Sequence, residues 1–124
     1  MLSTKKLLYK VCEAISALDI STHLTFNSAW TNLHKSAYKV GNMVYFTLEG
    51  YTSTFVAGTE YTIVTIDSGY RPAKNYPFTG HLTDSGFKPV GIVTCFANTN
   101  GTVTVRASNT SGNYFFISGF FKIA

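Results

Sequence analysis

The sequence predicts an antiparallel all-β domain, a β-sandwich or jelly roll with a short N-terminal α-helix. Three observations carry this expectation. Apolar and polar residues alternate with a period of two over most of the chain after Asp19. Gly, Asn, Asp and Ser punctuate it at short intervals, at Gly58-Thr59, Gly80, Asp84-Ser-Gly86 and Asn98-Thr-Asn-Gly101. A helical period survives only at the N-terminus, so the strand-turn-strand rhythm argues against an α/β fold.

From Thr4 to about Leu18, the apolar residues Leu8, Val11, Ile15 and Leu18 recur at alternating spacings of three and four. That spacing makes one narrow helical stripe, with Ser3 or Thr4 available as a cap. Two heptads are marginal alone because helix nucleation is costly, so the stripe requires a partner. The partner is either the chain's own β-domain or two further copies in a parallel three-stranded stalk. Residues 1–20 are therefore read as a stalk or packing helix and residues 21–124 as the head.

A first strand follows, with Leu24, Phe26, Ser28 and Trp30 on one face, and a second with Val44, Phe46 and Leu48 on one face. Asn100-Gly101 is the clearest hairpin signal, and a type I′ turn is expected there because both residues tolerate positive φ. It joins Val90–Ala97 to Thr102–Ala107. The segment from Arg71 to Lys88 reads as a long loop. In the terminal segment Phe115, Ile117, Phe121 and Ile123 fill one face, yet Tyr114, Phe116 and Phe120 on the other are also large and apolar. A strand apolar on both faces is covered on both, here by a loop or by another subunit. Phe116 and Phe120 thus join Leu8, Val11, Ile15 and Leu18 as candidate homotrimer contacts.

Composition narrows the function. A chain of 124 residues holds one domain, and 45% apolar with 15% aromatic residues excludes a disordered segment. Charged residues, at 13%, fall to about half the usual share. The net charge of +4 is dispersed apart from Lys5, Lys6 and Lys10, so no stripe tracks phosphates and nucleic acid is not an expected partner. Cys12 and Cys95 lack metal-ligand spacing and read as small buried hydrophobes. The apolar run at Leu7-Leu8 is broken by Lys10 and Glu13, which argues against an export signal and a membrane span.

Several motifs fall in one order along the chain: Trp30, Lys39-Val-Gly-Asn-Met-Val44, Ile66-Asp-Ser-Gly-Tyr-Arg-Pro72, Gly91-Ile-Val93, Gly101-Thr-Val-Thr-Val105 and Tyr114–Ile123. From about Thr22 to Ala124 this series resembles the C-terminal heads of tail-fibre or receptor-binding proteins of phages and prophages of Gram-positive bacteria. It departs from their pattern at Asp67, where proline is expected, and Ile66 stands for leucine. The resemblance implies a trimeric β-sandwich head on the virion tail, attached to other tail proteins, that acts outside the cell and recognises a host-surface saccharide. Two other readings stand beside it: a structural tail or baseplate module without a ligand, which shares the fold, and a trimeric lectin-like or signalling domain of the complement-head type, which would need an export route.

No catalytic pattern competes with binding. The six acids, Glu13, Asp19, Glu49, Glu60, Asp67 and Asp84, form no obvious glycosidase pair, and Asp67 and Asp84 sit in Asp-Ser-Gly turns that use a carboxylate to bond nearby amides. His23, His34 and His81 accompany no nucleophile elbow, and no zinc spacing exists, so neither an enzyme nor a cofactor is expected. A saccharide site asks for aromatic faces and a few planar hydrogen-bonding groups. The candidates are Tyr76, His81 and Asp84 in the Arg71–Lys88 segment, Trp30 and His34 around the end of the first strand, and Tyr114 at a hairpin tip.

Overall fold

The computed structural model describes residues 3–8, 17–27, 33–51, 55–109 and 114–124. Residues 4–8 are helical. The remainder is all-β: one curled half-barrel sheet of antiparallel strands. Its strands are β1 (Leu18–Asp19), β2 (Leu24–Phe26), β3 (Leu33–Val40), β4 (Met43–Tyr51), β5 (Tyr61–Ile66), β6 (Tyr76–Thr83), β7 (Pro89–Ala97), β8 (Thr102–Ala107) and β9 (Tyr114–Lys122). They are ordered β1-β3-β4-β9-β6-β7-β8-β5-β2.

Alternation decides which residues enter the core. Val44, Phe46 and Leu48 of β4 face inward beside Phe121, Gly119 and Ile117 of β9, and the three apolar residues of β4 are buried as the sequence predicts. Val93, Cys95 and Ala97 of β7 pair with Ala107, Val105 and Val103 of β8 on the same inner face. Phe55 drops into the hollow of the curl, edge-on to Phe115 and Tyr61 with centroids 5.7 Å away in each case. Such aromatic pairs add roughly 1 kcal/mol each beyond their burial.

The two ends of the sheet approach each other. The chain passes from β1 through a 3-10 turn at Ser21–His23 into β2, and so spans the opening. The Ile20 amide donates to the Ala37 carbonyl, and the Ala37 amide donates to Ser21 Oγ. Lys35 reaches from β3 to the Leu24 carbonyl on β2, with its ammonium 5.3 Å from the centre of the Phe26 ring. Ser21 donates through its hydroxyl and its amide to the Asp19 carboxylate, holding that carboxyl below its ordinary pKa.

Three expectations change. The helical stripe does not run on to Leu18, which begins β1 opposite Lys39 because the sheet edge offers its backbone a partner. The Asn100-Gly101 hairpin is a three-residue loop: Asn98 and Thr102 pair, the Gly101 amide donates to the Asn98 carbonyl, and Gly101 alone takes positive φ, at 89°. The Arg71–Lys88 segment is no long loop but contains β6, a central strand. Its Pro77 and Gly80 look like punctuation in sequence. Yet β6 pairs with β9 only over His81–Thr83, so Pro77 faces no β9 ladder. Gly80 is required because a Cβ there would lie 2.5 Å from the Phe116 carbonyl oxygen. Of the two covers left open for the outer side of β9, a loop is present at one end: the chain's own β6–β7 turn, through Phe87, lies over Tyr114 and Phe116.

Asp67, the departure from the expected proline, has a partner of its own: its carboxylate lies 2.9 Å from His23 Nδ1, while the His23 and Tyr70 rings stand 4.5 Å apart. Arg71 donates to the Ile66 carbonyl, tying the turn to the end of β5.

Candidate functional site

On the outer face of the sheet, residues opposite one another across β3, β4, β9 and β6 form rows. His34, Glu49, Phe116 and His81 make one row, and Tyr51, Tyr114 and Thr83 make the next. These rows floor a cleft of about 620 Å³ lined by His34, Glu49, Tyr51, Phe87, Tyr114 and Phe116. The volume falls within the usual range for small-molecule sites, roughly 300–1,000 Å³.

Phe87 forms the roof. Its ring stacks on Tyr114 with centroids 5.1 Å apart and planes 30° apart, and lies 6.1 Å from Phe116. It nevertheless remains 63% exposed. Its backbone has φ of 62°, the one positive φ outside glycine among the described residues. For a bulky residue that conformation costs on the order of 1 kcal/mol.

The turn that imposes this strain is built by Asp84. The Asp84 amide donates to the Lys88 carbonyl, the Phe87 amide donates to the Asp84 carbonyl, and the Asp84 carboxylate accepts from the Gly86 and Lys88 amides at 2.9 Å each. The backbone bonds repeat those of the Asn98–Thr102 turn, where the Asn98 amide donates to Thr102 and the Gly101 amide to Asn98. In that turn the left-handed position belongs to glycine, its usual occupant. In the Asp84–Lys88 turn it belongs to phenylalanine.

Chemically, the cleft offers aromatic faces, the Tyr51 and Tyr114 hydroxyls, an imidazole and a carboxylate. Glu49 is half-buried, takes part in no ion pair among the described residues, and is the one carboxylate of the described lining. A double-displacement or inverting glycosidase needs a second carboxylate across the bond, which this lining does not supply.

The sequence candidates divide. His34 and Tyr114 line the cleft, and His81 continues its floor row beyond Phe116. Asp84 does not line it but shapes the turn that carries Phe87. Tyr76 lies on the inner side, 6.4 Å from Phe121 and under Lys74, as a partly buried member of the core. Trp30 falls outside the described residues, as do Val11 and Ile15. Glu49, Tyr51 and Phe87 were missed by the sequence reading. The outward set Tyr45, Thr47, Glu49, Tyr51 was readable from the alternation of β4, whereas the aromatic in Gly86-Phe-Lys-Pro89 carried only the oddity of a large ring at a turn tip.

No protein-family model and no curated protein sequence matches the chain. Among the described residues no helix is long and apolar enough to cross a membrane, and no group of three or more His, Cys, Asp or Glu side chains gathers as a metal site.

Proposed function

We propose that this chain is the receptor-binding head of a phage tail fibre and that its outer-face cleft binds a saccharide on the host surface. The observation that carries the reading is Phe87, a large exposed ring held in a strained backbone over Tyr114 and Phe116. Strain of this kind collects at ligand sites, and a turn of the same design elsewhere in the chain uses glycine. The aromatic walls suit the apolar faces of sugar rings, while His34, Glu49 and the tyrosine hydroxyls suit their hydroxyl groups.

In this reading the curled sheet is the sandwich or jelly roll of such a head, and three copies assemble through the N-terminal segment. Leu7 and Leu8 are exposed on the described part of that helix, in keeping with a stripe that has its partner in another copy. Phe116 and Phe120 then belong to the ligand face and not to the trimer contact. Each site binds weakly, and three acting together raise avidity by roughly two to four orders of magnitude.

The test is binding of the labelled protein to intact Gram-positive cells, competed by their purified wall polysaccharides. Competable binding that Phe87→Ala weakens about tenfold, or about 1.4 kcal/mol, is the expected result. A folded protein that binds no cells, or whose Phe87→Ala variant binds undiminished, overturns the assignment.

A further inference from the structure

The outer face holds a second hollow, of about 510 Å³, beside the first. Tyr38, Tyr45 and Phe120 stand opposite one another across β3, β4 and β9 to form its wall. All three are well exposed, at 42%, 49% and 54%. Phe78 reaches the margin of this hollow from the core side, edge-on to Phe46 at 5.2 Å and against Gly119, where a Cβ would meet its ring at 2.5 Å. Between this hollow and the Phe87 cleft runs a row of three hydroxyls, Ser36, Thr47 and Ser118. The order along the strands is therefore aromatic, hydroxyl, aromatic.

We infer that the ligand is an unbranched, uncharged oligosaccharide lying along β4 and β9, with one ring in the Phe87 cleft, another against Tyr45 and Phe120, and the link between them over the hydroxyl row. The inference rests on the saccharide reading of the first cleft and extends it to a substrate class. Phe116 and Phe120 are four residues apart on one strand, about 13 Å at the usual rise, a span for about three sugar rings and too long for one.

The pattern selects this occupant over a second copy of the chain. A protein interface places its apolar groups at the centre and its polar groups at the rim. This face does the reverse, and a dry contact over Ser36, Thr47 and Ser118 would leave hydroxyls without partners. A sugar chain brings its own hydroxyls to that row. Charge narrows the choice further. Glu49 is the carboxylate of the described lining, and no cation lines the cleft among the described residues: the one lysine on the outward positions of β9, Lys122, lies beyond the Tyr45–Phe120 row, opposite Met43, and Lys88 follows Phe87 in the roof turn. An anionic polymer would bring its charge to Glu49, whose neighbours across the strands are His34 and Phe116.

The experiment measures binding of the full chain to an array of linear glycans, neutral and acidic, of one to eight units. Wild type is expected to bind neutral glycans of about three units or more and to lose most of its affinity below that length. Phe120→Ser and, separately, Tyr45→Ser alter exposed side chains. Each is expected to weaken binding of the long glycans about tenfold, while Phe87→Ala weakens every glycan. Glu49→Gln is expected to admit acidic glycans that wild type rejects. Full affinity for a mono- or disaccharide, or indifference to both Phe120→Ser and Tyr45→Ser in folded protein, overturns the inference and leaves the Phe87 site standing. No binding by wild type to any glycan removes both. Light scattering on the same variants is the control: an oligomer that Phe120→Ser breaks apart assigns the face to a second copy and overturns the inference.

Discussion

Phe87 is held in a conformation that glycine would adopt freely, so stability and binding should respond to it in opposite directions. Phe87→Gly is expected to leave the protein as stable as wild type or more stable by about 1 kcal/mol, measured as the midpoint of urea unfolding, while saccharide binding falls. Asp84→Ala removes the acceptor of two amides and is expected to cost roughly 1–2 kcal/mol on the same measurement, with a parallel loss of binding as the turn loosens. Cys95 makes a separate prediction. Burial pushes its thiol up to about 12 from an ordinary value of 9.0. The folded state thus favours the protonated thiol, and the stability this confers is intact below about pH 9 and lost as pH rises toward 12. Cys95→Ala should show a shallower decline in urea midpoint over that window than wild type. At pH 8 the native Cys95 should resist alkylation and react only after unfolding, as peptide mapping would show.

Among the strands, those whose two faces meet different surroundings were the easiest to read in sequence. Val44, Phe46 and Leu48 alternate cleanly because β4 has a core on one side and the cleft on the other. The β7 and β8 hairpin was equally plain, although its turn is wider than the dipeptide Asn100-Gly101 suggests. β6 was obscured because Pro77 and Gly80 usually break strands, and the circumstances that admit them here are tertiary: the ladder to β9 stops at His81, and the backbone of Phe116 crowds Gly80. The site was half legible for the same reason. His34 and Tyr114 stood out as residue types, but the cross-strand register that sets Glu49 beside His34 and Phe116 is not written in any one segment. Gly80→Ala tests this account, since the nearest neighbour of its Cβ, the Phe116 carbonyl oxygen at 2.5 Å, cannot yield without moving backbone. We expect a loss of about 1–3 kcal/mol on urea unfolding. Gly119→Ala should cost less when combined with Phe78→Leu than alone, because the atoms it meets belong to a side chain.

The assembled protein should behave as three heads on one stalk. Light scattering is expected to return three times 13.6 kDa for the full chain. Removal of residues 1–17 should leave a monomer whose affinity for one glycan is unchanged and whose attachment to cells falls by roughly a hundredfold or more. A full-length monomer would refute the trimer. Cell binding should vary little with ionic strength, since screening acts on charges and the site offers few. The margins of the sheet bear on how such heads tolerate crowding. Its outermost strands are two and three residues long, and Lys35 ties one side of the opening to the other. The two edge strands themselves thus give a neighbouring copy only short runs of backbone on which to zip another strand, the usual route by which exposed β-sheets aggregate. In the proposed role, heads packed side by side on a virion would meet at high local concentration with little edge on which to fuse into fibrils, leaving their aromatic faces for the cell.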